Sequence, residues 1–220
     1  MSDVNAEKTG VPARRAFSKK PPDVRQLELI QATCRCLSKL GAAESSVRTI
    51  AEEAGLSLGM VRHHFRSKDE LLAATLQHLS NEVQVDLRTA ASAAPTDPEE
   101  RLRAFIYSSL SSEAQDPAYV KIRFLFWELA RTNPVVRRVH DRIYKRYRRQ
   151  MHMVISGVAK AKNSQADTKL LTLLVMALLK GIWVEISLAK KPLDLPAMIQ
   201  QVLELLDGPL NSNTARRTQQ

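Results

Sequence analysis

The chain has 220 residues, a formal net charge of +10 and only seven glycines, with a sequence pI near 9.9. That length carries one large or two modest domains with a sizeable core, and the charge favours a polyanionic partner, nucleic acid before an anionic membrane surface. Ala, Leu, Glu, Lys and Arg dominate, which implies an all-α protein, and the absence of an apolar run after the first charges excludes a secretory signal, so a cytoplasmic location is expected.

Residues 1–22 are polar, hold three prolines among them and carry Arg14, Arg15, Lys19 and Lys20. They read as a disordered basic arm, either a solvated tail or one that follows a DNA backbone or enters a minor groove. From Asp23 to Leu40 the apolar positions Leu27, Ile30, Cys34 and Leu37 recur at helical spacing, and Gly41 closes the helix. Cys34 and Cys36 point about 200° apart on that helix; they cannot share a metal from one face and read as buried thiols.

The stretch from Val47 to Lys68 reads as two short helices joined by a tight turn, with a third helix directly behind. Ile50, Ala51 and Ala54 form one apolar stripe, and Gly55 stands where a helix end tolerates positive φ. Ser57 is placed to cap a second short helix, Leu58 to Phe65, in which Val61 and Phe65 face the core. A small residue where the helices cross, a glycine at the turn and a branched residue locking the second helix fit a helix-turn-helix.

The segment from Gln26 to about Leu79 resembles the DNA-binding domain of the TetR family of bacterial regulators. The resemblance rests on IQAT (30–33), Gly41, Val47, IAEEAG (50–55), Ser57, Gly59, HF (64–65), SK (67–68) and LL (71–72). It implies that Ser46, Arg48 and Thr49 meet phosphates from the start of one helix, and Lys68 from the start of the next. Arg62 stands where the family usually has a Tyr that contacts phosphate; arginine reads both phosphate and guanine, so the role can persist on a different operator. On the recognition helix Ser57, Leu58, Gly59, Met60, Arg62, His63 and His64 are the candidates to face the major groove, with Arg62 bidentate to guanine and Met60 against a thymine methyl. His63 and His64 diverge by about 100° and have no Cys partner near, so no metal site is expected.

Ser67 to Glu70 form an S-x-x-E capping box that opens a helix to roughly Ala91. Ala93 to Pro98 is a linker. Thereafter Asp97–Pro98 opens a helix to about Glu113, Asp116–Pro117 one to Arg131, and Asn133–Pro134 one to about Lys160. Ser164 and Asp167 open a helix to Ala189, and Asp194 with Pro196 the last, which Gly208–Pro209 ends. The count is about nine helices, with no strand and no repeat. The expected division is a basic arm (1–22), a three-helix DNA-binding domain (23–70), a larger helical effector-binding and dimerisation domain (71–210), and a disordered tail (211–220).

Leu170 to Leu188 is apolar enough to pose a membrane span, but Lys180 and Glu185 interrupt it. A helix apolar on nearly all sides suits burial against both its own core and a partner subunit. The resemblance implies that the last two long helices pair with their mates in a homodimer, here through Leu171, Leu174, Leu178, Ile182, Leu203 and Leu206. A palindromic operator then meets two reading heads about one DNA turn apart.

The effector expected of such a regulator is an unidentified small molecule. Phe124, Trp127, Tyr144, Tyr147 and Trp183 form a candidate aromatic cluster, with Glu128 and Glu185 each close behind a Trp. An aromatic cage with a carboxylate suits a quaternary ammonium ligand, and FLFWELA (124–130) and KGIWVEI (180–186) are similar to segments of the choline-responsive BetI branch of the family. Against this, residues 121–149 are strongly basic; if part of that charge faces inward, an anionic effector fits equally well. No phosphate loop, no zinc-protease motif and no nucleophile–base pair is present, so no catalytic residue, cofactor or enzyme activity is expected. The expectation is a sequence-specific regulator, most plainly a repressor released from its double-stranded operator by the effector. The rival is an effector-independent DNA-compacting protein.

Overall fold

The computed structural model describes residues 22–93, 96–110 and 116–211; the basic arm except Pro22, and the tail beyond residue 211, lie outside them. Among the described residues there are nine helices and no strand: α1 (Pro22–Glu44), α2 (Val47–Ala54), α3 (Leu58–His64), α4 (Lys68–Ala93), α5 (Pro98–Ser109), α6 (Pro117–Thr132), α7 (Pro134–Ala161), α8 (Thr168–Leu188) and α9 (Leu195–Asn211).

Side-chain caps start most of these helices. Asp97, Asp116 and Asp167 each accept a hydrogen bond from a backbone N–H in the first turn, satisfying donors the helix itself leaves orphaned. Asn133 ends α6 and, through Oδ1, accepts from Val135 and Val136 to begin α7. Gly41 leaves the helix at φ 82°, a left-handed conformation that favours glycine, and Ser45 Oγ donates to its carbonyl at 2.5 Å. The expected helix end therefore falls inside what is continuous helix only by hydrogen-bond pattern.

Two ends differ from the sequence reading. Helix α5 ends at Ser109, where Leu110 leaves helical geometry with its side chain 4% exposed; the expected end, Glu113, lies outside the described residues. Helix α9 runs through Gly208 and Pro209 to Asn211. Proline removes one N–H from the ladder, but Leu210 is 2% exposed in the core and Ser164 Oγ donates to the Pro209 carbonyl at 3.3 Å. Burial outweighs the lost bond.

Three apolar clusters hold the molecule together. Leu29, Ile50, Ala51, Val61, Phe65 and Leu71 form the core of the N-terminal head, each large aliphatic contributing about 1.5–3 kcal/mol by burial. A larger cluster of Ile106, Met151, Ile155, Val175, Trp183 and Ile199, among others, joins α5, α7, α8 and α9. Between them Leu37 of α1, Leu72 of α4, Ile122 and Phe126 of α6 and Val136 of α7 form a bridge, reinforced by Lys121 Nζ donating to Ser38 O at 2.5 Å and Asn133 Nδ2 donating to Asp69 Oδ1 at 2.7 Å. Cys36 is buried in the head, whereas Cys34 is only half-buried; burial pushes the Cys34 thiol up to about 11.

Helix α8 is long and apolar enough to cross a membrane, by length and composition. Its two faces differ. Leu171, Val175, Met176, Leu179, Ile182 and Trp183 are buried, while Leu170, Leu173, Leu174, Leu178, Val184 and Leu188 are exposed on the opposite side.

Candidate nucleic-acid interface and effector cavity

The head presents α3 on a fixed base. Gly55, at φ 65°, donates its N–H to Ala51 O and Glu52 O and turns the chain out of α2. Ser57 then starts α3 by accepting from the Met60 N–H at 3.2 Å. Val61, 1% exposed, and Phe65 anchor the inner side of α3 to α1 and α2.

The outer side of α3 carries Leu58, Gly59, Arg62 and His63, all exposed, continued by Arg66 beyond the helix. Positions 58, 59, 62 and 63 recur at helical spacing, so they share one stripe, while Arg66 follows the extended Phe65 outside the helix. Met60 and His64 are half-buried instead; burial is the main cause that lowers His64 below the usual imidazole value, with the charges of His63 and Arg25 adding to it. Arg66 is exposed just past the helix end, where a helical pattern in the sequence does not reach it.

On the flank, Ser46 caps α2 by accepting from Thr49 N–H at 3.0 Å, and its hydroxyl lies 2.8 Å from that of Thr49. Arg48 is exposed and pairs with Glu52 at 3.1 Å. Lys68 is half-buried, and its ammonium donates to Ala42 O at 2.7 Å, tying the start of α4 to the end of α1. The capping box at Ser67 forms with a variation: Ser67 Oγ accepts from Glu70 N–H, while Glu70 Oε2 accepts from the N–H of Arg66, not of Ser67.

A second site lies deeper. A cavity of about 160 Å³ opens among α4, α6, α7 and α8. Trp127, Tyr144, Tyr147 and Trp183 line it from three helices, with Phe126 and Leu79 among the apolar walls. Tyr147 donates to Ser109 Oγ at 2.7 Å and stacks on Phe105, and burial pushes its hydroxyl up to about 12.

The two carboxylates do not join this cluster. Glu185 is exposed on the outer side of α8, and Glu128, also exposed, lies with Phe124 along a separate, open depression beside residues 186–195. The reason is helical geometry: Trp183 and Glu185 are two residues apart, about 200° around the helix, and Trp127 and Glu128 are about 100° apart. Adjacency in sequence set them on different faces. The residues that do share the aromatic face sit three and four positions away. Arg123 places its guanidinium 4.2 Å from the Trp183 ring centroid and 5.5 Å from that of Trp127. Lys180 Nζ lies 4.4 Å from the Tyr144 centroid. A basic residue three or four positions before each Trp was the signal that could have found them.

Two family profiles match the chain: residues 29–75 match the bacterial regulatory proteins of the tetR family, and residues 98–211 the C-terminal domain of BetI-type transcriptional repressors. The chain is 28% identical over 190 residues to the HTH-type transcriptional regulator BetI of Paraburkholderia phytofirmans, covering 86% of this chain and 95% of that protein. A crystal structure described as a transcriptional regulator from Pseudomonas aeruginosa PAO1 superposes with a TM-score of 0.82 at 32% identity, covering 93% of this chain and 99% of that one. A regulator from Saccharomonospora viridis, solved in complex with choline, shares the fold at 18% identity and a TM-score of 0.73, covering 84% and 96% of the two chains.

Proposed function

Because the chain belongs to the TetR family, with a C-terminal domain of the BetI-type repressors, we propose that its homodimer binds a palindromic operator through α3 and leaves it when a small molecule fills the cavity. Members of this family are transcriptional regulators, not enzymes, and bind DNA operators, typically as dimers. The observation that carries the reading is the exposed stripe of α3, in which Arg62 and His63 stand outward on a helix whose opposite side is locked by Val61. Arg62 forks onto a guanine edge or a phosphate; Ser46, Arg48 and Thr49 set the register on the backbone. Lys68 keeps donors beyond the one it gives to Ala42 O, and it reaches a phosphate only from that fixed position.

The dimer surface proposed is the exposed side of α8 together with α9. Leu170, Leu174, Leu178 and Leu188 on α8 and Leu205 on α9, 64% exposed, are too large an apolar face to leave in water. Leu171, Ile182 and Leu206 serve the chain's own core instead. The family resemblance assigned the last two helices to the interface, and with nearly every side of α8 apolar the sequence could not separate its inward leucines from its outward ones. Head (23–70) and effector body (71–210) then divide the chain by role, and a cytoplasmic location follows from the partner.

Release follows from α4. It starts directly behind the reading head and its later residues Leu76, Leu79, Ser80 and Val83 line the cavity. A ligand that fits the cavity in only one tilt of α4 shifts the population toward that tilt, and with it the spacing of the two heads.

A nuclease footprint on the DNA beside the chain's own gene, at near-physiological salt, tests the reading. A short protected palindrome is expected. Diffuse coverage that disappears as salt rises would instead favour the DNA-compacting alternative.

A further inference from the structure

The cavity among α4, α6, α7 and α8 carries basic side chains, and among the described residues no aspartate or glutamate lines it. We infer that its ligand is a small carboxylate anion with a single-ring or short branched apolar body, held by the Arg123 guanidinium. The inference deepens the proposed effector site and rests on it.

Four observations converge. Arg123 is the charged residue most enclosed by the cavity's aromatic walls: its guanidinium lies over Trp183 at 4.2 Å and near Trp127 at 5.5 Å. Its Nε is buried without a hydrogen-bond partner among the described residues, so the side chain is held in place by its aromatic neighbours and not by a protein carboxylate or carbonyl at that atom. A guanidinium this close to ring faces keeps its charge and its fork of donors, with which arginine takes a carboxylate in two parallel bonds. Lys180, 4.4 Å from the Tyr144 ring, adds a second positive charge, and His140 stacks on the same ring with its Nδ1 3.6 Å from Asp141 Oδ1.

The same facts count against a quaternary ammonium ligand. Such a cation needs open aromatic faces and benefits from a carboxylate. Here Trp183 and Tyr144 already face the protein's own cations, and Glu128 and Glu185 stand outside. A third positive charge would meet two others lining the same cavity, the half-buried Arg123 and the exposed Lys180.

Size narrows the body of the ligand. A cavity of about 160 Å³ is close to the roughly 150 Å³ that admits a benzene ring in an engineered protein core. Phe126, Leu179, Met176 and Trp183 supply apolar walls for a ring or a branched chain of that bulk.

The test is calorimetric titration of the full-length protein with benzoate, phenylacetate and 3-methylbutyrate, each beside its uncharged amide, and with choline. At least one acid is expected to bind with a Kd below about 1 mM, and its amide about ten- to a hundredfold more weakly, the worth of a charge-assisted hydrogen bond. Arg123→Gln should abolish the preference for the acid and Arg123→Lys should retain part of it, with melting curves showing that both variants fold. The inference is overturned if none of the acids binds, if Arg123→Gln leaves acid binding unchanged, or if choline binds more tightly than every acid and loses affinity in Glu128→Gln. Fluorescence anisotropy of operator DNA in the same solutions reads the other premise separately. An acid that binds through Arg123 yet leaves the DNA bound would remove the cavity's regulatory role while the anion site stands.

Discussion

Gly55 and Arg62 mark the two kinds of residue that make a reading head, one that sets geometry and one that uses it. Gly55 stands at φ 65° with open space where a side chain would begin, so Gly55→Ala meets no clash and its cost is the backbone's alone. About 1–2 kcal/mol of stability should be lost, read as a lower denaturant midpoint; an unchanged midpoint would mean that the turn relaxes freely. Arg62 is exposed and makes no ion pair among the described residues, so Arg62→Ala should leave the melting curve alone and weaken operator binding by about 1–3 kcal/mol, five- to a hundredfold or more. His64 offers a pH test. Its folded value lies below 6.5, so the unfolded chain takes up the proton first as pH falls. Stability is then fully present above the unfolded value and declines on acidification from about 6.5 downward. An NMR titration of the His64 ring with a midpoint at or above 6.5 would contradict this. Gly55, Ser57 and Val61 were legible in the sequence because each has a residue type that only one local conformation explains. Met60 and His64 were not, because a seven-residue helix gives too few turns to tell its flank from its outward stripe.

Between elements the difficulty was which face of a helix meets what. For α8 the sequence reported an apolar residue on every side, which is compatible with a membrane span, a buried core helix or a shared interface. Packing resolves half of that ambiguity, since Trp183, Leu179 and Val175 point into the chain's own core. The face left over includes Leu174, 52% exposed, Leu178 and Gly181, where a side chain would meet nothing within 4 Å in this chain. A second α8 can therefore approach closely along that line. A two-fold interface repeats every substitution, so Leu174→Glu acts twice. Half-exposed leucines losing their burial in both protomers remove roughly 1.5–3 kcal/mol per dimer before the cost of the new charges is added. A tenfold to hundredfold or larger rise in the dimer Kd follows. Light scattering after size exclusion should show a monomer at low micromolar concentration with an unchanged helical spectrum. A variant that stays dimeric would move the interface elsewhere. The effector cluster teaches the same lesson from the other side: Arg123 with Trp127, and Lys180 with Trp183, are four and three residues apart and share a face, whereas the more conspicuous Trp–Glu neighbours do not.

At the scale of the whole molecule, the bridge between head and body decides whether a filled cavity can reach the DNA. Phe126 is 2% exposed, lines the cavity, and also packs with Leu37 and Leu72, so one side chain touches both ends of the path. Replacing it would cost stability along with any signal, typically about 3–5 kcal/mol for a buried Phe cut to Ala. The polar tie between Asp69 and Asn133, 2.7 Å across the corner where α6 passes into α7, can be removed more gently. It spans the start of α4 and the cap of α7, two of the elements that line the cavity. Asp69→Ala leaves Arg62 and Arg123 untouched, so operator affinity without ligand and ligand affinity without operator should change little. What should fall is the coupling between them. In the unaltered chain an acid that fits the cavity is expected to weaken operator binding by about 5- to 150-fold, and the operator must weaken acid binding by the same factor. In Asp69→Ala both factors should shrink together toward one, measured by anisotropy with and without saturating acid and by calorimetry with and without operator. If the two factors shrink unequally, the assay is not reporting an equilibrium. If neither shrinks, the Asp69 tie plays no part, and transmission runs through the apolar bridge of Leu37, Leu72 and Phe126 alone.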